Sequence, residues 1–293
     1  MGYQSIFTDD LFAGQTVVIT GGGSGIGRCT AHELAALGAE VAIVGRNAGK
    51  LRAVQEEIHS DGGRASVHVT DIRDEATVAD VVDAIITEHG RIDGLFNNAG
   101  GQYRAPLESI STKGFEAVVR NNLTGGFIVM REVYTKWMKA HGGAIVNMIA
   151  DIWNGWPNFA HSAAARGGML TLSESAATEW AAAGVRVNTI APGAIASSGL
   201  DTYDAKDTDF LRSQVAGEIP LQRYGTEAEV SAAVVFLLSR AASFITGTCV
   251  RVDGGAPNAK PGWWELEPAE HNVAFDGFHR SAVPAILEAN QTS

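Results

Sequence analysis

Two spacings of apolar residues alternate along the chain. Short β-branched runs recur, and between them lie longer stretches in which apolar residues return every three or four positions. The runs Val17–Thr20, Glu40–Gly45, Ala65–Val69, Asp93–Phe96, Gly143–Ile149, Val185–Ile190 and Thr248–Val252 predict seven strands. The helical spacing predicts helices from the turn at Gly25 to about Leu37, and over Lys50–His59, Glu75–His89, Gly114–Ala140, Ser162–Ala183 and Glu227–Ser239. Residues 1–15 form a lead-in, with Phe7, Leu11 and Phe12 packing on the domain edge. Residues 197–225 carry few strand signals and suit a helical lid over a pocket.

Strands alternating with helices imply right-handed crossovers and a parallel sheet covered on both faces. The fold class is α/β: a single Rossmann-type doubly wound domain of about seven parallel strands with helices on both faces. Residues 1–256 make up this domain. Residues 257–293, with Pro257, Pro261, Trp263, Trp264 and Pro268, are an extension that can serve as a subunit-contact arm, a cap on the pocket or a loose tail. Ligands of such sheets bind beyond the carboxyl ends of the strands. Thr20, Gly45, Asp71, Asn97 and Ile190 sit at those ends.

The first strand runs into Thr20-Gly21-Gly22-Gly23-Ser24-Gly25-Ile26-Gly27-Arg28. Glycine lets the backbone take positive φ and pass close to a ligand, and the free N–H groups at the following helix start favour a phosphate. Gly21, Gly25 and Gly27 are spaced TGxxxGxG rather than GxGxxG. A glycine run alone can be no more than a tight turn, but the strand–turn–helix context points to a nucleotide.

Composition narrows the partners. The chain has 293 residues and 45% hydrophobic content, enough for a sizeable core. The net charge of −11 argues against nucleic acid as a partner. Cys29 and Cys249 form neither a disulfide framework nor a metal-binding spacing, so no metal is expected. With no signal peptide, no membrane-spanning run and no Ser-Lys-Leu ending, a cytoplasmic location is expected.

Several motifs now resemble the short-chain dehydrogenase/reductase superfamily. They are Thr20-Gly21 with Gly25-Ile26-Gly27, Asp71-Ile72, Asn97-Asn98-Ala99-Gly100, Asn122-Leu123-Thr124-Gly125, Pro192-Gly193 and Asp253-Gly254-Gly255. They span about residues 10–256 in the family's order. Within the superfamily, Asn98–Gln102, Asn121–Phe127, Trp137–Gly143, His161–Arg166 and Ala241–Gly247 resemble the peroxisomal trans-2-enoyl-CoA reductases.

The resemblance implies a dinucleotide held by Gly21, Ser24, Gly25, Ile26 and Gly27. It places Asp71 and Ile72 near the adenine, Asn98 and Gly100 beside the ribose, and Ile195 and Ser197 after Pro192-Gly193 at the nicotinamide carboxamide. An acidic residue ending the second strand would bind the ribose 2′-OH of NAD, whereas arginine accommodates the 2′-phosphate of NADP. Gly45-Arg46 stands there, with Arg28 near the turn, so the cofactor expected is NADP(H). A homotetramer is also implied.

The catalytic pattern departs from the family. Relatives that reduce carbonyls use Asn, Ser, Tyr and Lys, the tyrosine protonating the alkoxide and the lysine lowering its pKa. Asn122 is in place. Counting back from Arg166 in the lysine position, the tyrosine position holds Ser162, and the serine position falls at Ile149 or Ala150. The chain contains no YxxxK, and none of its five tyrosines lies on that helix. Serine is a poor acid toward an alkoxide, and arginine does not deprotonate in proteins.

Reduction of an enoyl thioester demands less of a donor, since hydride adds to the β carbon and hydrogen-bond donors hold the enolate oxygen. On this reading the substrate is an acyl thioester and Ser162 donates to that oxygen. Arg166 binds the nicotinamide ribose, while His161 or Tyr103 can relay or supply a proton. The same residues can instead be packing groups, with Arg166 ion-paired on its helix and Asp151 turning the chain. Trp153, Trp156 and the 197–225 segment can form an acyl pocket, or Trp153 and Trp156 can belong to the core. Two other functions fit the sequence: an alcohol or ketone dehydrogenase with an atypical acid, and a catalytically silent dinucleotide-binding protein.

Overall fold

β-branched runs buried on both sides build the centre of the molecule. In a computed structural model, which describes residues 2–200, 219–259 and 271–287, all five residues of β1 (Thr16–Thr20) are buried. Such a strand cannot alternate between polar and apolar positions, because helices cover both faces. Its side chains divide between two cores. Val17 and Ile19 pack with Leu34, Val54 and Val234 on one face, and Val18 packs with Val82, Ile85 and Val133 on the other.

Around β1 lie β2 (Glu40–Gly45), β3 (Arg64–Val69), β4 (Gly94–Asn97), β5 (Gly143–Met148) and β6 (Val185–Pro192). Two short strands follow, β7 (Ile195–Ala196) and β8 (Gly225–Thr226), and then β9 (Cys249–Val252). The main sheet is seven-stranded in the order β3-β2-β1-β4-β5-β6-β9, and every pairing is parallel. The expected fold class is therefore observed. β7 and β8 form a separate two-residue parallel pair that the hydrophobic pattern does not register.

One face of the sheet carries α1 (Gly25–Ala36), α2 (Ala48–Ser60) and α8 (Glu227–Leu238). α3 (Glu75–His89) lies on the other face. The predicted helix over Gly114–Ala140 is a continuous rod of α4 (Thr112–Val119), a π-turn Arg120–Thr124, α5 (Gly125–Val133), a second π-turn Tyr134–Met138 and α6 (Lys139–His141). α7 (Ala160–Trp180) follows β5.

The connection out of β1 leads to one side of the sheet and that out of β4 to the other. This leaves a crevice at the carboxyl ends of these two neighbours. Thr20 pins its floor. Its Oγ1 accepts the N–H groups of Asn98 and Ala99, both at 2.9 Å, and donates to Asn97 Oδ1 at 3.3 Å. A buried amide relay continues from Asn97 Nδ2 to Asn147 Oδ1, and from Asn147 Nδ2 to Ser173 Oγ on α7. Polar groups this deep are tolerated because each is paired.

Candidate active site

The glycine turn opens the site. Gly21 and Gly25 hold φ of +70° and +57°, the left-handed region that side chains resist. Gly27 φ is not the issue; a Cβ there would lie 2.4 Å from Gly21 O and 2.6 Å from Asn98 Nδ2. Gly27 therefore lets α1 approach the strand ends that carry the turn. Ser24 caps α1 without a bond from its hydroxyl to the helix and faces the crevice.

Beyond the turn runs a cleft of about 1460 Å³. Gly21, Ser24, Gly25 and Ile26 line one end, and Arg46, Asp71 and Ile72 form the adjoining wall. Asn98 and Gly100 lie on the floor, and Pro192, Gly193, Ile195 and Ser197 close the far side with Arg166. A smaller cleft of about 760 Å³, between Asp74 and Phe115, lies away from the glycine turn. Most of residues 197–225, the expected lid, fall outside the described residues; Ser197–Leu200 line the cleft.

Arg46 is exposed on the rim at the end of β2. Asp71 receives a forked bond from Arg73, and this contact, with Arg46 nearby, holds its carboxyl down at about 2. Arg28 does not serve the glycine turn. It points away along α1, binds Glu57 through two bonds of 2.8 and 2.9 Å, and lies 5.0 Å from the Phe278 ring centroid. Being near the turn in sequence does not decide which side of the helix a residue faces.

Arg166 is 8% exposed and reaches the cleft from α7. Nη1 donates to Met148 O at 2.6 Å, and Nε is buried with no hydrogen-bond partner among the described residues. Among the described residues no ion pair involves it. Burial pulls the guanidinium down to about 10, which leaves it charged at neutral pH. A Cβ on Gly100 would lie 2.5 Å from Arg166 Nη2, so only glycine lets the loop after β4 pass this close.

The other expected catalytic groups stand behind the cleft wall. Asn122, in the first π-turn, accepts from Gly101 N at 2.9 Å and donates to Gly101 O at 2.8 Å. Its side chain thus holds the loop that carries Gly100 and Gln102. Ser162 is fully buried, and its hydroxyl donates to Gln102 Oε1 at 2.6 Å. Serine is shorter than tyrosine, so its hydroxyl stops at Gln102, whose side chain is the one on the cleft. His161 Nδ1 accepts from Ser162 N at 2.9 Å, which leaves a proton on Nε2, itself buried with no hydrogen-bond partner among the described residues. Tyr103 stands edge-on to His161 at 4.5 Å and is 40% exposed, away from the cleft lining.

Ile149 and Ala150 line the cleft where a serine stands in relatives. Asp151 both turns the chain, through its N–H to Pro192 O, and faces the cleft. Burial first, then the neighbouring Asp253, push its carboxyl up. Trp153, Trp156 and Phe159 supply the apolar wall, with Trp153 under the Arg251 guanidinium. The cleft-facing roles of Gln102 and Asp151 are not legible in the sequence, because hydrogen bonds spanning dozens of residues leave no local pattern.

A family model described as "Enoyl-(Acyl carrier protein) reductase" matches residues 21–257. The chain belongs to the short-chain dehydrogenase/reductase family. It is similar to a peroxisomal 2,4-dienoyl-CoA reductase of Danio rerio, 38% identical over 87% of this chain and 85% of that one. Among solved structures it resembles a citronellol catabolism dehydrogenase of Pseudomonas aeruginosa, 53% identical over 87% of this chain and all of that one, with TM-score 0.78. A structure from Beutenbergia cavernae that holds NADP at low occupancy is 36% identical over 86% of this chain and 100% of that one, with TM-score 0.79. The chain is therefore an oxidoreductase of a family that binds NAD(P). Among the described residues no helix is long and apolar enough to cross a membrane.

Proposed function

We propose that the protein is an NADPH-dependent reductase of a conjugated acyl thioester, with hydride delivered to a carbon–carbon double bond. The observation that carries this reading is the pair Ser162 and Arg166. Where carbonyl-reducing relatives place a phenol and an amine, this chain has a hydroxyl spent on Gln102 and a buried, permanently charged guanidinium. That pair supplies positive potential and hydrogen-bond donors but no acid for an alkoxide. A conjugated thioester needs only that, since its charge collects on the thioester oxygen as an enolate. The likeness to a 2,4-dienoyl-CoA reductase supports the same chemistry.

In this reading Arg166 binds the nicotinamide ribose and adds positive potential at the enolate, while the Ser162–Gln102 pair fixes the polar wall. Asn122 positions the Gly100–Gln102 loop against both. Asp151, whose carboxyl is pushed up by burial and by Asp253, is the group on the wall suited to protonating the carbon skeleton. Gly21, Ser24, Gly25 and Ile26 take the pyrophosphate. Asp71, Ile72, Asn98 and Gly100 flank the adenosine and ribose, Ile195 and Ser197 take the carboxamide, and Arg46 takes the 2′-phosphate. Trp153 and Trp156 cover the acyl chain.

A second reading, an alcohol dehydrogenase with an unusual acid, draws on the 53% identity to the citronellol catabolism dehydrogenase. One assay separates the two. Purified protein is mixed with NADPH and crotonyl-, hexenoyl-, decenoyl- or 2,4-decadienoyl-CoA, absorbance is followed at 340 nm, and the products are identified by mass. The expected result is NADPH oxidation with an acyl-CoA two mass units heavier. NADPH binding without turnover on any thioester, together with citronellol oxidation when NADP+ or NAD+ is supplied instead, would overturn it in favour of the alcohol. Binding with no turnover on either class would make the protein a silent dinucleotide binder.

A further inference from the structure

At the outer edge of the sheet, on β3 two strands away from β1, two histidines converge. His68 on β3 and His89 at the end of α3 both direct Nε2 at Ser66 Oγ, each at 2.8 Å. The Glu88 carboxylate stands 3.7 Å from His68 Nε2 and 4.0 Å from His89 Nε2. One ligand atom from each of the three residues lies within 4.8 Å of the others. Behind them His89 Nδ1 donates to Glu40 Oε2 at 2.9 Å, and Arg64 holds Glu40 from its other side at 3.1 Å.

Ser66 has one hydroxyl proton and cannot donate to two ring nitrogens at once. In the tautomer that donates from Nδ1 to Glu40, His89 Nε2 presents a lone pair toward Ser66. We propose that His68 Nε2, His89 Nε2 and the Glu88 carboxylate form a binding site for a divalent transition metal ion, with zinc the best match. Such an ion needs lone pairs converging on one point at about 2.0–2.2 Å; both imidazoles aim at one point, held here by Ser66 Oγ, and the ion takes that place when the serine side chain turns aside. His68 meets the requirement by carrying its proton on Nδ1. Two imidazoles and one carboxylate favour zinc over magnesium or calcium, which take oxygen ligands. A carboxylate behind a ligating histidine, as Glu40 stands behind His89, fixes tautomer and ring orientation. Glu88 is 54% exposed in its side chain, which gives the ion a way in and leaves room for water as fourth ligand.

The Glu40–His89–Ser66 chain also has the connectivity of an activated nucleophile. Ser66 is only 5% exposed and lines neither cleft, so a substrate has no approach to it. A small ion does. Bound there, it would tie β3 to α3 two residues before Thr70 and Asp71 reach the cleft.

The test uses the full chain, free of any affinity tag and stripped with a chelator, titrated with zinc by calorimetry and followed by thermal melting. The expected result is one ion per chain and a raised melting temperature. Both are lost in His89→Gln, and affinity is lowered about tenfold or more in Glu88→Gln and Glu40→Gln. Glu88 is exposed, so its variant keeps the fold even where a histidine variant fails to. Cobalt in place of zinc should give the visible d–d bands of a nitrogen–oxygen site. A cobalt–thiolate charge-transfer band would assign the ion to Cys29 or Cys249 and overturn the proposal. So would no binding to the wild-type chain, or binding unchanged in Glu88→Gln.

Discussion

Arg46 and Arg28 show what a single residue's place in the sequence conveys. Both flank the expected phosphate region, yet only Arg46 faces the cleft, because Arg28 is drawn across α1 to Glu57. The strand end fixes where Arg46 emerges, whereas three residues into a helix the direction depends on partners elsewhere in the chain. The glycine turn was legible for the same reason as Arg46: its conformation is set by residue type and spacing. Ser162 and Asn122 were found by counting along motifs, but their partners, Gln102 and Gly101, come from another loop and had no signal of their own. If Arg46 binds a 2′-phosphate, Arg46→Ala should raise the KM for NADPH by about 10- to 100-fold, the range of a lost charged hydrogen bond, and barely change that for NADH. Steady-state kinetics with both cofactors check this, and equal effects would exclude the role.

At the scale of elements, strand positions followed from β-branched runs, but element ends and irregularities did not. β6 runs on to Pro192, beyond the Ile190 end expected, because its last residues still pair with β9. The π-turn at Arg120–Thr124 is invisible to a helical period, though it turns Asn122 onto the Gly101 backbone. The start of α8 carries the clearest charge problem. Thr226 and Glu229 form a capping box, while Glu227, one residue on, is half-buried beneath the glycine turn, its Oε1 3.8 Å from where a Gly25 Cβ would stand.

Burial pushes the Glu227 carboxyl up to about 7, and Arg28 and the Ser198 N–H only partly oppose this. A carboxyl raised on folding binds more protons in the folded than in the unfolded state between the two pKa values. Its contribution is thus complete at low pH and is lost as pH rises from about 4.5 to about 7. The loss approaches about 3 kcal/mol, a ceiling because the N-terminus of α8 favours the carboxylate. Urea unfolding across pH 5–8 should show Glu227→Gln flattening this slope and exceeding wild type in stability at pH 8. An unchanged slope would mean that water or a shifted side chain already solvates the carboxylate.

Across the whole molecule, the parallel sheet with helices on both faces was legible because it needs only alternation and burial, but the strand order and the use of the C-terminal extension were not. The described part of the extension, residues 271–287, lies as a strap over α1, α2 and α8, an arrangement outside the three roles expected from the sequence. Phe278 is 1% exposed in a small core with Tyr3, Cys29 and Ala228, beneath the Arg28 guanidinium. Backbone bonds join Gln4 to Gly277, and Thr226 Oγ1 donates to Phe275 O. His279 and Arg280 both reach Asp61 at the end of α2. These contacts combine the two chain ends with the helices that flank the phosphate turn, and a local sequence pattern holds no record of such distant pairings.

Emptying the strap's apolar anchor, Phe278→Ala, should cost about 3–5 kcal/mol through lost burial and the cavity left behind, with loss of the Arg28 contact adding to it. Breaking the exposed Arg280–Asp61 pair by Arg280→Ala should cost about 1 kcal/mol or less. Chemical denaturation of both variants measures the difference. Loss in Phe278→Ala no greater than in Arg280→Ala would show that the extension rests on the domain without stabilising it.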